Sequence, residues 1–164
     1  YRAKFDRAYH YVYPPVDADP STVLTAQELL GAEMYVHGNC GHCHTIGVHT
    51  NDSAANNGLD AQFTDPGVSN GEFRATSLRN IAVSGPYMHD GRFATLREVI
   101  DHYDSGVKAS AQLSFLLRDH HGAGSDFPRR LNMTEEQKQA LEAFLNTFTD
   151  DALLNDPKFS DPFQ

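Results

Sequence analysis

Cysteine and tryptophan are scarce in this chain of 164 residues, which has two cysteines and no tryptophan. No apolar run approaches the roughly 20 residues that a membrane-spanning helix needs. Positive charge is also scarce, with 13 lysines and arginines against 22 aspartates and glutamates and a formal net charge of −9. Because nucleic acid is held mainly through its phosphates, this balance argues against a nucleic-acid partner. A basic or neutral redox partner fits the charge better, but the simpler and favoured interpretation is that the acidity only keeps the domain soluble.

Both cysteines fall in one short motif, CGHCH, at residues 40–44. Two cysteines separated by two residues and followed at once by a histidine form the attachment pattern of c-type haem. In that chemistry Cys40 and Cys43 add to the porphyrin vinyl groups as thioethers, and His44 becomes the proximal ligand of the iron. A redox dithiol would not need the histidine. The motif therefore predicts one covalently attached haem c.

Zinc is the alternative interpretation of this segment, because His37, His42 and His49 lie close to the two cysteines in the sequence. A structural zinc site would, however, need further ligands at finger-like spacing. Thioether attachment of haem takes place outside the bacterial inner membrane, so we expect a periplasmic or otherwise exported protein. The first residue is Tyr1 rather than Met, so we also expect that an upstream segment has been removed.

Three capping boxes predict the starts of three helices. In each, a threonine is followed three residues later by an acidic or amide residue, and then by apolar residues at helical spacing. The first helix is expected to end at Gly38 and the second at Gly106. The three pairs are Thr25 with Glu28, Thr95 with Glu98, and Thr134 with Gln137.

The rest of the chain reads as loops and one tether. Residues 45–71 and 107–130 lack a convincing period. Residues 1–20 are aromatic and then proline-rich, so we expect a tether of the interdomain kind. The predicted organisation is this tether followed by a haem domain at residues 21–164, all-α, cytochrome c-like and loop-rich, with helices packed around one haem.

The second axial position of the iron has two candidate ligands. Met88 follows His44 in a bend, as a thioether ligand would, although buried methionines are common in cores. Tyr103 falls on the apolar face of the helix that Thr95 opens, where a buried phenol needs a partner, and that partner can equally be a carbonyl or a haem propionate. From the residues alone both candidates stay open.

Residues 73–103, FRATSLRNIAVSGPYMHDGRFATLREVIDHY, resemble the C-terminal haem domain of the bacterial di-haem cytochrome c peroxidase family, which includes MauG-like enzymes. The shared motifs are SLRN, a PY(M/F)HDG bend and a helix that carries the distal ligand at its end. The resemblance extends from about Phe5 to the helix at residues 134–150. The peroxidases have methionine, and the MauG-like branch tyrosine, where this chain has Tyr103. The resemblance therefore implies Tyr103 as the distal ligand and Met88 as a neighbour that does not bind iron.

The same resemblance implies further site residues. Arg79 would pair with a haem propionate, the alternative being a solvated surface charge. His89 would lie in the haem pocket, the alternative being a turn histidine bonded to backbone. The carbonyls of Ser84 and Pro86 would bind calcium, with other ligands coming from a second domain. The remaining histidines are expected at the surface: His102, His120 and His121.

Family members contain two haems and are about twice this length, whereas this chain has one haem motif. We therefore expect an oxidoreductase half or subunit, not a complete di-haem peroxidase. The resemblance implies a domain that relays electrons, or stores oxidising equivalents, for a peroxide-activating haem on a partner half. Two alternatives remain: a separate mono-haem electron carrier with His44 and Met88 as ligands, and a structural haem subunit of a larger assembly.

Overall fold

The computed structural model of the protein describes residues 2–9, 19–45, 47, 49–51, 53–120 and 127–160. Six α-helices lie in this part of the chain: α1 (Lys4–Tyr9), α2 (Ala26–His37), α3 (Cys40–Cys43), α4 (Leu96–Asp101), α5 (Glu135–Asn146) and α6 (Asp151–Leu154). Two-residue strands β1 (Ala54–Ala55) and β2 (Phe73–Arg74) pair antiparallel. Short 3₁₀ helices lie at Pro20–Thr22, Ile81–Val83, Phe115–Leu117 and Pro157–Phe159. The predicted helical, loop-rich class is confirmed, and no helix among the described residues is long and apolar enough to cross a membrane.

The three predicted helix starts are also confirmed. At α2 the Thr25 hydroxyl accepts a hydrogen bond from the backbone of Glu28 at 3.2 Å, and the Glu28 carboxylate accepts one from the Thr25 N–H at 2.6 Å. The starts of α4 and α5 carry the same reciprocal bonds. These bonds satisfy donors that the first turn of a helix leaves unpaired.

The core forms where α2 crosses α5. The two backbones meet at Gly31, where an added Cβ would lie 2.0 Å from the carbonyl oxygen of Ala140. Only glycine permits this approach, which packs α2, the helix that leads to the haem motif, directly against α5. The buried side chains of this core are Phe5, Ala8, Leu24, Tyr35, Tyr87, Leu96, Ile100, Met133, Leu141, Phe144, Leu145 and Phe148.

The N-terminal segment is not a tether throughout. Residues Lys4–Tyr9 form α1, and Phe5 in that helix is 2% exposed. Its ring packs edge-on against Phe148 at 4.8 Å, and its N–H donates to the Thr147 carbonyl at 2.9 Å. Phe5 and Ala8 lie one turn apart and share a buried face, a pattern that the neighbouring prolines obscure in the sequence. Residues 10–18, with Pro14 and Pro15, lie outside the described residues.

The second predicted helix changes its winding before it ends. After α4 the chain continues as a π-helix at His102–Gly106. Asp104, 5% exposed, holds this turn: its carboxylate accepts from the Met133 N–H at 2.8 Å and pairs with Lys138 at 2.9 Å. A π-turn rotates the side chains that follow it relative to a regular α-helix, and such turns occur mostly at functional sites. It carries Tyr103.

Candidate haem site

The two cysteines lie on a single helical turn, α3, entered through Asn39 in a left-handed conformation with φ 61°. Cys40 and Cys43 are three residues apart, so they project from the same face of the turn. Both are free thiols. Burial raises the pKa of Cys40 to about 11 and also raises the pKa of Cys43. A reactive dithiol requires the opposite shift, so these thiols are not built for disulfide exchange.

His44 has the tautomer that a metal ligand needs. Its Nδ1 lies 2.9 Å from the Thr76 carbonyl and 3.3 Å from the His49 carbonyl. Because both neighbours are acceptors, Nδ1 carries the hydrogen and Nε2 is left unprotonated. Burial lowers the pKa of His44, which favours this neutral form.

Tyr35 fixes the backbone of the same histidine. Its hydroxyl donates to the His44 carbonyl at 2.6 Å, and its ring packs edge-on against Phe144 at 5.6 Å. Burial raises the pKa of Tyr35, so the hydroxyl stays protonated and remains a donor. The haem motif is therefore tied directly to the α2–α5 core.

The two candidate distal ligands share one neighbour, Asn57. The Asn57 amide nitrogen donates to the Met88 sulfur at 3.4 Å, and the Asn57 side chain lies close enough to the Tyr103 hydroxyl to lower its pKa. Burial raises the pKa of Tyr103 to about 12, and nearby Cys40 and Cys43 act in the same direction.

These residues fit a covalently attached haem. Two free thiols lie on one helical turn, the imidazole that follows them is in the ligand tautomer, and a buried phenol and a thioether share Asn57 as a neighbour. The described part of the chain contains no group of three or more His, Cys, Asp or Glu residues able to hold a metal ion. Zinc therefore has no ligand set there: His49 is 0% exposed against Phe5 and Phe148.

Comparison with known proteins agrees with this chemistry, although no family model matches the chain. The methylamine utilization protein MauG of Methylorubrum extorquens is 33% identical over 117 residues, 66% of this chain and 30% of that protein. MauG of Paracoccus denitrificans is 35% identical over 130 residues, 65% of this chain and 33% of that protein. The cytochrome-c peroxidase IdrP1 of a Pseudomonas species is 33% identical over 96 residues, 57% of this chain and 22% of that protein.

Solved structures give the same answer. The crystal structure of a MauG-like protein associated with microbial copper homeostasis superimposes with a TM-score of 0.70 and 33% identity, over 86% of this chain and 49% of that one. The chain belongs to the MauG-like and cytochrome-c peroxidase family. This MauG-like chain spans about a third of the length of its two MauG relatives, 30% and 33%.

Arg79 of the MauG-like chain is neither solvated nor at the surface. Its guanidinium pairs with Asp6 of α1, with two N···O distances of 2.6 Å, and donates to the Gly47 carbonyl at 2.8 Å. Both charged side chains are 10% exposed. Arg79 thus pairs with a carboxylate, that of Asp6 in α1. Its contact with a haem propionate stays a prediction.

His89 stacks on Phe73, with the ring centroids 3.6 Å apart and the planes 7° from parallel. The contacts described for His89 include no hydrogen bond to backbone, which the alternative of a turn histidine would require. The stack borders a cavity of about 310 Å³ that Asn57 also lines. Ser84 and Pro86 lie on the exposed bend before His89, and their calcium contacts stay predictions.

Three site residues escaped the sequence analysis. Tyr35 could have been found, since it follows Gly31 by one turn on the buried face of α2. Asn57 lies in a polar loop without periodicity, so no local signal marks it. His102 was predicted at the surface but is 5% exposed, because the π-turn carries it inward, where its Nε2 lies 3.1 Å from the Asn57 carbonyl. Of the other two, His120 is exposed and His121 lies outside the described residues.

Proposed function

We propose that this chain is the c-type haem domain of a MauG-like or di-haem peroxidase-type protein, in which it relays electrons or stores oxidising equivalents for a peroxide-activating haem on a partner half. The observation that carries the proposal is the Thr76 carbonyl 2.9 Å from Nδ1 of His44, which leaves Nε2 available to iron directly after the two cysteines of α3. Family membership supports the cofactor class and the oxidoreductase assignment.

In this proposal the chain's residues divide into three roles. Cys40 and Cys43 anchor the haem, His44 offers Nε2 to one face of the iron, and Tyr103 offers its oxygen to the other. When bound, the haem supplies one-electron chemistry. With both axial positions filled, the domain itself does not bind peroxide. An anionic oxygen donor favours ferric over ferrous iron, so the potential lies below that of a methionine-ligated haem.

Tyr103 would hold a ferric haem as the phenolate, its proton being released to solvent water. Burial raises the pKa of the free phenol to about 12, so it is neutral without the metal. The charge of a ferric ion outweighs that burial cost and stabilises the phenolate.

A separate mono-haem electron carrier is the second candidate. It is favoured by the position of Met88, whose sulfur lies 3.4 Å from the same amide group that contacts Tyr103. In that function Met88 binds the iron, and no partner half is needed.

The partner half and the compartment complete the proposal. Because the chain spans 30% and 33% of its MauG relatives, the peroxide-activating haem is proposed on another polypeptide or segment. A periplasmic or otherwise exported location follows from thioether attachment of haem. The carbonyls of Ser84 and Pro86 are proposed to bind calcium together with that partner.

Two ligand variants of the haem-loaded protein test the proposal. Tyr103→Phe should leave the haem covalently attached but open the iron to added cyanide or imidazole, whereas Met88→Leu should leave the ferric spectrum unchanged. The electron-carrier function predicts the reverse pattern. A denatured-protein mass without the added haem would contradict both functions, and the haem-to-protein ratio and mass of the native complex test the partner half.

A further inference from the structure

Asn57 occupies an unusual position between the two candidate ligands. Its amide nitrogen donates to the Met88 sulfur at 3.4 Å, and its side chain is near enough to the Tyr103 hydroxyl to lower the pKa of that group. A carboxamide nitrogen has two hydrogens and can serve two acceptors at once. One side chain therefore contacts both groups that compete for the iron.

The orientation of this carboxamide is fixed from both ends. The Asn57 side-chain oxygen accepts from the Leu59 N–H at 3.3 Å, which directs the NH₂ group away from its own loop. The Asn57 backbone carbonyl lies 3.1 Å from Nε2 of buried His102, the residue that precedes Tyr103 in the π-turn. This hydrogen bond joins the loop that contains Asn57 to the π-turn that contains Tyr103, so the two residues are held at a fixed distance from each other.

The backbone of Met88 is held in the bend that presents its sulfur. Met88 has a φ of 71°, a left-handed conformation that is uncommon for residues other than glycine, asparagine and aspartate. The flanking residues close the bend, since the Tyr87 N–H donates to the Phe93 carbonyl at 2.8 Å. The thioether is thus directed by its backbone and engaged by Asn57.

We propose that Asn57 is a positioning residue that selects the distal ligand, by engaging the Met88 sulfur and by donating to the Tyr103 oxygen. The two contacts work in the same direction. A sulfur that accepts an N–H is a weaker competitor for the iron, and an oxygen that carries negative charge is stabilised by a donor. The inference rests on the proposed function, because it assumes that Tyr103 binds the iron.

Asn57→Leu in the haem-loaded protein removes both contacts while keeping a side chain of similar size. Hydrogen bonds to charged groups contribute about 1.5–3 kcal/mol, so the ratio of tyrosine to methionine ligation should fall roughly tenfold to a hundredfold. The ferric spectrum should then show a thioether-ligated fraction, and the reduction potential should rise. Asn57→Asp, which keeps the shape but replaces the donor with an acceptor, should also produce a thioether-ligated fraction in the ferric spectrum; its added negative charge lowers the potential, so the spectrum is the readout for this variant.

The double variant Asn57→Leu with Met88→Leu is the matched control. It should lose the thioether fraction and return to a single ligand set, since the competing sulfur is gone. If Tyr103→Phe changes the ferric spectrum but both Asn57 variants keep the wild-type spectrum and potential, the role of Asn57 is overturned and Tyr103 ligation stands. If Tyr103→Phe has the same ferric spectrum as the wild type, both the role of Asn57 and Tyr103 ligation are overturned. If Asn57→Leu does not fold, Asn57→Asp decides alone.

Discussion

The Tyr35 hydroxyl donates a hydrogen bond of 2.6 Å to the backbone carbonyl of His44. This bond joins the buried face of α2 to the histidine that is proposed to bind the iron. Since Tyr35 also packs on Phe144 of α5, the position of His44 depends on the crossing of the two main helices. Core packing and iron ligation are therefore coupled through one phenol.

Tyr35→Phe should lower the free energy of unfolding by about 1–3 kcal/mol, because it leaves a buried carbonyl without its donor. It should also change the ferric spectrum or the potential, because His44 is less firmly held. Tyr87→Phe is the matched control, since the Tyr87 hydroxyl donates to the Ile81 carbonyl at 2.9 Å and Tyr87 is also buried. Chemical denaturation and redox titration of both variants test this. A haem signature that changes equally in both would contradict the coupling.

The features that sequence predicted well are local. A capping box needs only two side chains three residues apart, and the haem motif needs only five consecutive residues, so both can be recognised before the fold is known. The three helix starts are confirmed in this way. The helical, loop-rich class follows from the same local patterns.

The features that sequence missed depend on distant residues. Asp6 and Arg79 are paired across 73 positions, and Asn57 and Met88 across 31. Neither pair has a spacing that marks it. The π-turn likewise depends on contacts of Asp104 with Met133 and Lys138, and the default expectation that His102 lies at the surface was wrong, since His102 is 5% exposed.

Gly31→Ala should destabilise the domain severely, because its Cβ would lie 2.0 Å from a backbone oxygen of α5 that cannot move independently. Overpacking of a core typically costs about 1–3 kcal/mol, and a backbone clash lies at the upper end or beyond. Thermal unfolding of the haem-loaded protein measures this. The control is Gln27→Ala, at an exposed position of the same helix, which should leave the midpoint nearly unchanged. A tolerated Gly31→Ala would mean that α2 and α5 do not meet at this distance.

Acid should destabilise the protein through His49. Burial, and then the charge of Arg79, lower the pKa of this histidine to about 4. Above pH 6.5 the residue is neutral in both states and its contribution is complete. As the pH falls from 6.5 towards 4, His49 becomes protonated in the unfolded chain but stays neutral in the native state. The free energy of unfolding therefore declines.

Between pH 7 and pH 5 the titration of this histidine should lower the free energy of unfolding by about 2 kcal/mol, at about 1.4 kcal/mol per pH unit below 6.5. His49→Phe keeps an aromatic ring against Phe148 but cannot titrate. Urea denaturation at the two pH values should show a smaller loss in the variant than in the wild type. Equal losses would mean that His49 is protonated in the folded protein.

The ion pair between Asp6 and Arg79 should anchor α1 to the domain. Both side chains are 10% exposed, and removing one partner of a buried pair leaves an uncompensated charge that costs about 3–5 kcal/mol. Asp6→Asn and Arg79→Gln should each approach that loss in chemical denaturation, while the double variant should lose clearly less than their sum. The exposed pair of Arg92 with Asp60, 34% and 42% exposed, is the control, and Asp60→Asn should cost about 1 kcal/mol or less.

The same cycle separates the two partners considered for Arg79. If Asp6 is the main partner, Asp6→Asn and Arg79→Gln have similar effects on stability, and Asp6→Asn leaves the potential of the haem nearly unchanged. If a propionate is the main partner, Arg79→Gln alone shifts the potential, since a carboxylate near the iron loses its positive neighbour, and Asp6→Asn changes stability by less than about 1 kcal/mol. We expect the first pattern, because the guanidinium nitrogens of Arg79 lie 2.6 Å from the carboxylate oxygens of Asp6 on α1. The second would mean that the packing of Phe5, and not this ion pair, holds α1 on the domain.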